Sequence, residues 1–527
     1  MPFTLMQVGN MLKSVNTDGG LSSALTLPSG VVLRTNLQPR FAKFNRYVVL
    51  VNTPTRPLLI APDGTVYPLT LTAPTNAVAL SAGAAGTLSG TYKSLQTYEI
   101  RDAFGNIITS SDYGPTMATA VTIASKKLHA DFQVSSEAQV NNNHIFRTAT
   151  LGSTYFSWGN TGNNVTTSLE NDLSDASLGL VEAPALGEAP DLTLIAEFGG
   201  RLWGVDRENI DDLRWTEAGT SYGWSSLNTL KIPHVGQDDA GITALIPRRD
   251  AIGVAKRGIF NQVTGSQLTN IRPVTVNGGE GVGVVSQESV VVWNDVAYFL
   301  AWDGVYKWDS TGITCVTDGL VRSWFTSDMY FNRSMFWRAF AGLDPTGKKY
   351  RLLLASVGSE KNDRWIEMDL YTGAWYGPHT TDAFEPSCFV NVAGRNQQTY
   401  LMMGSREGYL SQDQIPRNDW DLFPIDYQVT MRSEEMGEPE QEKYFGELSV
   451  HVEPQTTGTL TITPELGSVD ETTATAAMTA PLTAGRTRVG RIGTGNSMVL
   501  NFENDELNVD AALYGYEVDP VNPIGRR

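Results

Sequence analysis

The sequence predicts an all-β protein, specifically a β-propeller of about six blades. Three observations lead there. Helical periodicity is almost absent along the 527 residues. Short apolar runs joined by glycine turns take its place. That strand–turn–strand unit returns about six times, often closing on an aromatic residue. Repeats of roughly 40–50 residues with four short strands are the mark of propeller blades. One small twisted sheet cannot cover both of its faces. A closed ring of such sheets can, and it leaves only short, protected edges.

The first unit reads Tyr47–Val51, residues 57–60, the turn Pro62-Asp63-Gly64 and residues 66–69. The pattern then breaks. Residues 74–175 are rich in Ala, Thr, Ser and Asn, with strand-like runs at 92–99, 144–149 and 154–158. Alternation would put Tyr92, Ser94, Gln96 and Tyr98 on one face. About 100 residues of this character predict an immunoglobulin- or fibronectin III-like sandwich, inserted between the first and second blades. A hairpin tip tolerates such an insertion because its two ends lie close together.

The repeat resumes in residues 176–430. Its copies flank Gly199-Gly200, precede Arg257-Gly258, and pair 297–300 with Trp302–Trp308 around Asp303-Gly304. Further copies pair 350–355 with 365–376, and 399–403 with Gly408-Tyr409-Leu410. Core packing between blades accounts for Trp203, Trp215, Trp224, Trp293, Trp302, Trp308, Trp337, Trp365 and Trp375. The acidic stretch 434–442 reads as an exposed linker. Strand-like runs at 444–452, 460–462, 489–492, 498–502 and 513–518 predict a second sandwich-like domain over 431–527. Residues 1–73 hold an N-terminal segment and the first blade.

Charge and chemistry narrow the function. Net charge is −18, so the chain lacks the basic footprint that grips phosphate. An acidic wall could still let a polyanion slide past. Cys315 and Cys388 are too few for a disulfide framework and read as buried free thiols. The N-terminus has no basic region leading into an apolar core, and no apolar run reaches the length of a membrane span. His129, His144, His234, His379 and His451 show no metal-ligand spacing. No catalytic, cofactor-binding or metal residue is therefore assigned, and no cofactor is expected. The run Gly278-Gly279-Glu280-Gly281-Val282-Gly283 opens no helix and reads as an inter-blade loop, not a nucleotide cradle. Asp369–Trp375 matches the Asp-box of sialidase-like propellers only in part and reads as a structural turn.

Several runs resemble the tail nozzle (tail tubular) proteins of short-tailed bacteriophages. They are 44–52 with Arg56-Pro57-Leu58 and Asp63–Val66, 198–204 with Leu213–Thr216, and 515–520 with Gly525-Arg526-Arg527. The early sandwich insertion fits the same order of parts. The resemblance implies a non-enzymatic virion protein, assembled in the host bacterial cytoplasm. Six copies would ring a DNA channel below the portal and its adaptor. The ring would retain double-stranded DNA, conduct it without sequence-specific binding, and anchor tail fibres or spikes. Two other readings stay open on the residues: a fibre hub or receptor-binding virion protein, and a glycan-active propeller enzyme.

Overall fold

The computed structural model describes residues 4–15, 21–178, 182–233, 241–265, 270–327, 329–380, 386–393, 399–406, 410–412, 419–420, 423–424, 427–431, 433–434, 440–467, 472–504 and 513–524. The fold is all-β and built as a propeller. The chain forms two compact units, Met1–Thr380 with Pro386–Ser411, and Thr381–Glu385 with Gln412–Arg527. The sequence reading placed the second boundary at 430.

Six small antiparallel sheets make the wheel. Blade 1 consists of Arg40–Phe44, Tyr47–Val51, Leu58–Ile60 and Val66–Pro68. Blade 2 runs from Leu192–Phe198 through Arg201–Asp206 and Asp212–Trp215 to Thr229–Lys231. Blade 3 holds Ala244–Pro247, Ile252–Ala255, Ile259–Thr264 and Arg272–Glu280. Blade 4 comprises Val291–Trp293, Val296–Ala301, Gly304–Asp309 and Gly312–Cys315. Blade 5 contains Phe340–Asp344, Lys349–Leu354, Arg364–Asp369 and Trp375–Thr380. Blade 6 has three strands, Pro386–Ala393, Thr399–Ser405 and Leu410–Gln412. In each blade the strands lie side by side in chain order, the order that tight hairpin turns impose.

Apolar layers join neighbouring blades. Leu194, Trp203 and Trp215 of blade 2 pack with Leu245, Val254 and Val263 of blade 3. Phe260 of blade 3 packs with Phe299 and Trp308 of blade 4. Leu300 and Val305 of blade 4 meet Leu352 and Ile366 of blade 5. Two glycines make room for this packing. A Cβ on Gly253 would stand 2.8 Å from both the Phe260 and Trp308 rings, and one on Gly342 would stand 2.6 Å from Phe389 Cβ.

The ring closes on a hairpin that the sequence reading left undivided within residues 1–73. Thr4–Val8 pairs with Met11–Val15. One part of this segment, Leu12 with Leu5 and Leu25, packs on Leu50, Leu58 and Ile60 of blade 1. Another part, Val15 with Met6 and Leu21, packs on Val392 and Met402 of blade 6. The two ends of the ring thus share one N-terminal clasp.

The insertion lies between blades 1 and 2, as its composition predicts, and has two sheets. One orders Ser168–Asn171, Val121–Asp131 and Ala79–Tyr92; the other orders Tyr155–Asn160, Asn142–Thr148, Ser94–Arg101 and Ile107–Ser110. The expected shared face holds along the second strand, where Ser94, Gln96 and Tyr98 stand opposite Arg147, Ile145 and Asn143, with Ile145 and Tyr92 in one core cluster and Arg147 over the Tyr92 ring. The chain changes sheets at Lys93; Tyr92 enters the sandwich core, and Tyr98, farther along the strand, packs with Leu69 and Trp224. Burial alone pushes the Tyr98 hydroxyl up to about 12.

Three expectations are corrected. The glycine run is not a free loop: its first residues end the outer strand Arg272–Glu280 of blade 3. Trp337 is 52% exposed, whereas Trp203, Trp215, Trp224, Trp308 and Trp365 are buried as expected. Both cysteines are free, but each is half-buried. Cys315 Sγ lies 3.3 Å from Thr317 Oγ1. Gly408 and Tyr409, His234, and the terminal residues 525–527 fall outside the described residues.

In the second unit, Lys443–Val452 lies between Arg486–Gly495 and Leu513–Pro523. A separate sheet centres on Thr459–Gly467 and Ser497–Asn504. Phe445, Leu448, Leu460, Ile462, Leu500 and Phe502 form their common core. Two sheets around one core match the sandwich-like region expected there.

Candidate functional site at the wheel axis

The blades of a propeller converge on a central axis. The opening strand of each blade lies against that of its neighbour for blades 1 and 2, 2 and 3, 4 and 5, and 5 and 6. Between blades 3 and 4 a side chain makes the join. Gln287 precedes blade 4; its Oε1 accepts from the Leu245 N–H at 2.7 Å and its Nε2 donates to the Leu245 carbonyl at 3.2 Å.

The next residue, Glu288, reaches across the wheel. Arg40 opens blade 1 and donates from Nε to Glu288 Oε1 at 2.9 Å and from Nη2 to Oε2 at 3.3 Å. Its Nη1 donates to the Thr193 carbonyl of blade 2 at 3.1 Å. Blades 1 and 4 stand opposite each other in a ring of six, so this two-pronged pair spans the axis. The side chains are 21% and 8% exposed. The planar guanidinium fork matches a carboxylate in a way an ammonium cannot. The inner strands of blades 4–6 also line an open hollow of about 280 Å³, with Val291, Ala341, Phe389, Asn391 and Leu401 among its residues. The Arg40 contacts thus tie blades 1, 2 and 4 together at the axis.

A second junction has similar character. Arg207 Nε and Arg34 Nη2 both donate to Asp191 Oδ2, at 2.9 and 3.1 Å. Arg207 Nη2 also donates to the Asn52 carbonyl at 3.0 Å. These contacts tie the segment before blade 1, blade 1 itself and blade 2.

A cleft of about 310 Å³ with a polar lining lies between blades 3 and 4 and includes Arg248, Asp250, Gln262, Asn277, Trp308 and Asp309. Arg248 stands 4.4 Å over the Trp308 ring and pairs with Asp295 at 3.0 Å. That face of the indole is covered, so it is no platform for a sugar ring. Burial pushes the Asp309 carboxyl up, but hydrogen bonds from Thr311 and Lys307 outweigh it and bring it down to about 2.

The histidines are dispersed. His129 sits 3.2 Å from Asp131, His379 lies against the Trp365 ring, and His451 is 3.4 Å from Glu517. His144 is held between Glu99 and Ser157. Among the described residues no group of three or more His, Cys, Asp or Glu side chains could hold a metal ion. Asp369 Oδ1 accepts from the backbone N–H groups of Tyr371 and Thr372, at 2.8 and 2.9 Å. Its Asp-box likeness is therefore a turn between two strands of blade 5. No helix among the described residues is long and apolar enough to cross a membrane. Sequence reasoning missed Arg40 and Glu288 because 248 positions separate them, and neither sits in a motif.

No protein-family model matches the chain. No curated protein matches it either. Among solved structures, Hsv2 of Kluyveromyces lactis is 10% identical with a TM-score of 0.26, over 53% of this chain and 66% of that one. PorZ of Porphyromonas gingivalis, a surface component of the type-IX secretion system, is 10% identical with a TM-score of 0.27, over 76% of this chain and 57% of that one. BBS1N, solved in complex with ARL6DN, is 10% identical with a TM-score of 0.27, over 63% of this chain and 94% of that one. The matched regions of Hsv2 and PorZ are less than two thirds of those chains, and at these scores the likenesses bear on nothing beyond fold.

Proposed function

We propose that this protein is a structural component of a short-tailed bacteriophage tail. Six copies form a nozzle ring around the DNA channel below the portal and adaptor, retain and then conduct the genome, and anchor fibres. The observation that carries this reading is the order of parts: a wheel, a sandwich inserted after its first blade, and a second β unit at its end. Two physical points support it. The wheel's own axis is spanned by Arg40 and Glu288, so any channel runs between copies, with the propellers as its wall. A net charge of −18 suits a wall past which a polyanion slides, because facing lysines and arginines would hold it back. Ring closure needs a rigid, wedge-like subunit meeting its neighbour head to tail, and a packed wheel supplies one.

The test is fractionation of purified particles followed by electron cryo-microscopy. The expected result is a six-fold ring on the tail axis below the portal. Density for this chain at the particle periphery, or its absence from particles, would overturn the proposal.

A further inference from the structure

In the inserted sandwich, three adjacent strands bring three side chains into line. Glu99 lies on Ser94–Arg101, His144 on Asn142–Thr148 and Ser157 on Tyr155–Asn160. Glu99 Oε1 lies 2.8 Å from His144 Nδ1, and His144 Nε2 lies 2.7 Å from Ser157 Oγ. The Glu99 side chain is 3% exposed and that of His144 11%; Ser157 is half-buried. A hydroxyl at hydrogen-bond distance from an imidazole, itself oriented by a carboxylate, is the arrangement that activates a serine.

Protonation follows from the partners. Arg101 Nε and Asn142 Nδ2 each donate to Glu99 Oε2 at 2.7 Å. Two such donors favour the ionised carboxylate, which can only accept. The His144 proton therefore sits on Nδ1, and in the neutral ring Nε2 is left to accept from the Ser157 hydroxyl.

A bulge sets the aim. His144 pairs with Asn160 and Ile145 with Gly159, but Phe146 pairs with Ser157. Were the strand regular, Ser157 would fall opposite Arg147, on the face that Ile145 and Trp158 turn to the sandwich core. The extra residue, Trp158, moves Ser157 opposite Phe146 and onto the face of His144, since a one-residue slip exchanges faces. Bulges recur beside active sites for this reason. Phe146 lies 4.0 Å from the imidazole, with Tyr113 edge-on to Phe146 at 5.6 Å. These rings crowd the site, so a small acyl group fits the half-buried serine better than a bulky one.

We propose that Ser157 is a nucleophile for esters of small carboxylic acids, with His144 as its base and Glu99 as the positioning carboxylate. Ser157 Oγ attacks the ester carbonyl carbon as its proton passes to His144 Nε2. The bond from that carbon to the alcohol oxygen then breaks, and the alcohol leaves with the proton. Water attacks the acyl-serine, His144 takes its proton and returns it to Ser157 Oγ, and the carboxylic acid is released. This reading does not rest on the tail assignment.

The test treats the full-length protein with diisopropyl fluorophosphate and maps the adduct by peptide mass spectrometry, with 4-nitrophenyl acetate as a turnover probe. The expected result is one adduct per chain, on Ser157, lost in Ser157→Ala. His144→Gln should slow labelling on the order of 100-fold, the usual contribution of a general base. Circular dichroism and the melting temperature confirm folding of each variant. No adduct on the folded wild-type protein would overturn the proposal. So would labelling that persists in Ser157→Ala, or labelling at the wild-type rate in a folded His144→Gln.

Discussion

At the scale of single residues, the informative side chains are charges taken out of water. Arg147 is fully buried, yet it donates to Asp175 Oδ1 at 2.8 Å and to the Thr148 carbonyl at 2.9 Å, and lies over the Tyr92 ring. Removing its carboxylate leaves a cation poorly compensated. Asp175→Ala should cost about 3 kcal/mol of stability, measured by chemical denaturation; a loss below about 0.5 kcal/mol would mean that the Thr148 and Leu173 carbonyls, to which Arg147 also donates, suffice. Two carboxyls set acid behaviour. Burial would raise Glu99 and Glu367, but His144 and Arg101 outweigh it at the first, and Arg351 and Lys349 at the second, so both are held below their ordinary range. A depressed folded value means the stabilisation is complete above the unfolded value, about 4.3. It is lost as pH falls below that point. Melting temperature should therefore drop as pH falls from about 4.3 toward 3, and less steeply in Glu367→Gln. Equal slopes would remove Glu367 from the account. None of these partners was legible in sequence, because Arg147 and Asp175 look like ordinary charges until strand register brings them together.

At the scale of elements, the blades were the readable part. Each is a local object whose strands are joined by turns that glycine and asparagine announce, so residues 47–69 or 297–308 carry their own instructions. The N-terminal clasp was legible too: Thr4–Val8 and Met11–Val15 flank Gly9-Asn10, a two-residue hairpin signal, with Gly9 at φ +59°. What sequence could not give is close approach. Gly253 sits in an apolar strand where alanine looks harmless, yet two aromatic rings occupy the space its Cβ would need. Gly253→Ala should destabilise by about 1–3 kcal/mol through overpacking, read as a lower denaturation midpoint. An unchanged midpoint would show that Phe260 and Trp308 can yield.

For the molecule as a whole, the wheel was legible because its repeats were, whereas its closure depends on contacts distant in sequence. Arg40 and Glu288 are the longest-reaching of these polar links apart from the clasp. Glu288→Ala should destabilise on the order of 2 kcal/mol, the low end for a broken buried pair, because Arg40 keeps partial contact with water. Equilibrium unfolding checks this. Glu288→Gln, which can still accept from Arg40, should lose less. If the two variants behave alike, charge does not matter at the axis and only shape does. The candidate serine site shows the same limit from another side. Ser157, His144 and Glu99 form no motif, and one extra residue in a strand decides whether they meet.

The clasp also bears on how the chain is made. Translation proceeds at roughly 5–20 residues per second, so Met402 leaves the ribosome on the order of 20–80 s after Val15. For that interval Met6, Val15 and Leu21 have no blade 6 to cover them, and an apolar strand edge stands open to other nascent chains on the same message. Synthesis thus imposes a waiting time on the clasp, and a chaperone that shields residues 4–15 would act while blade 6 is still being made.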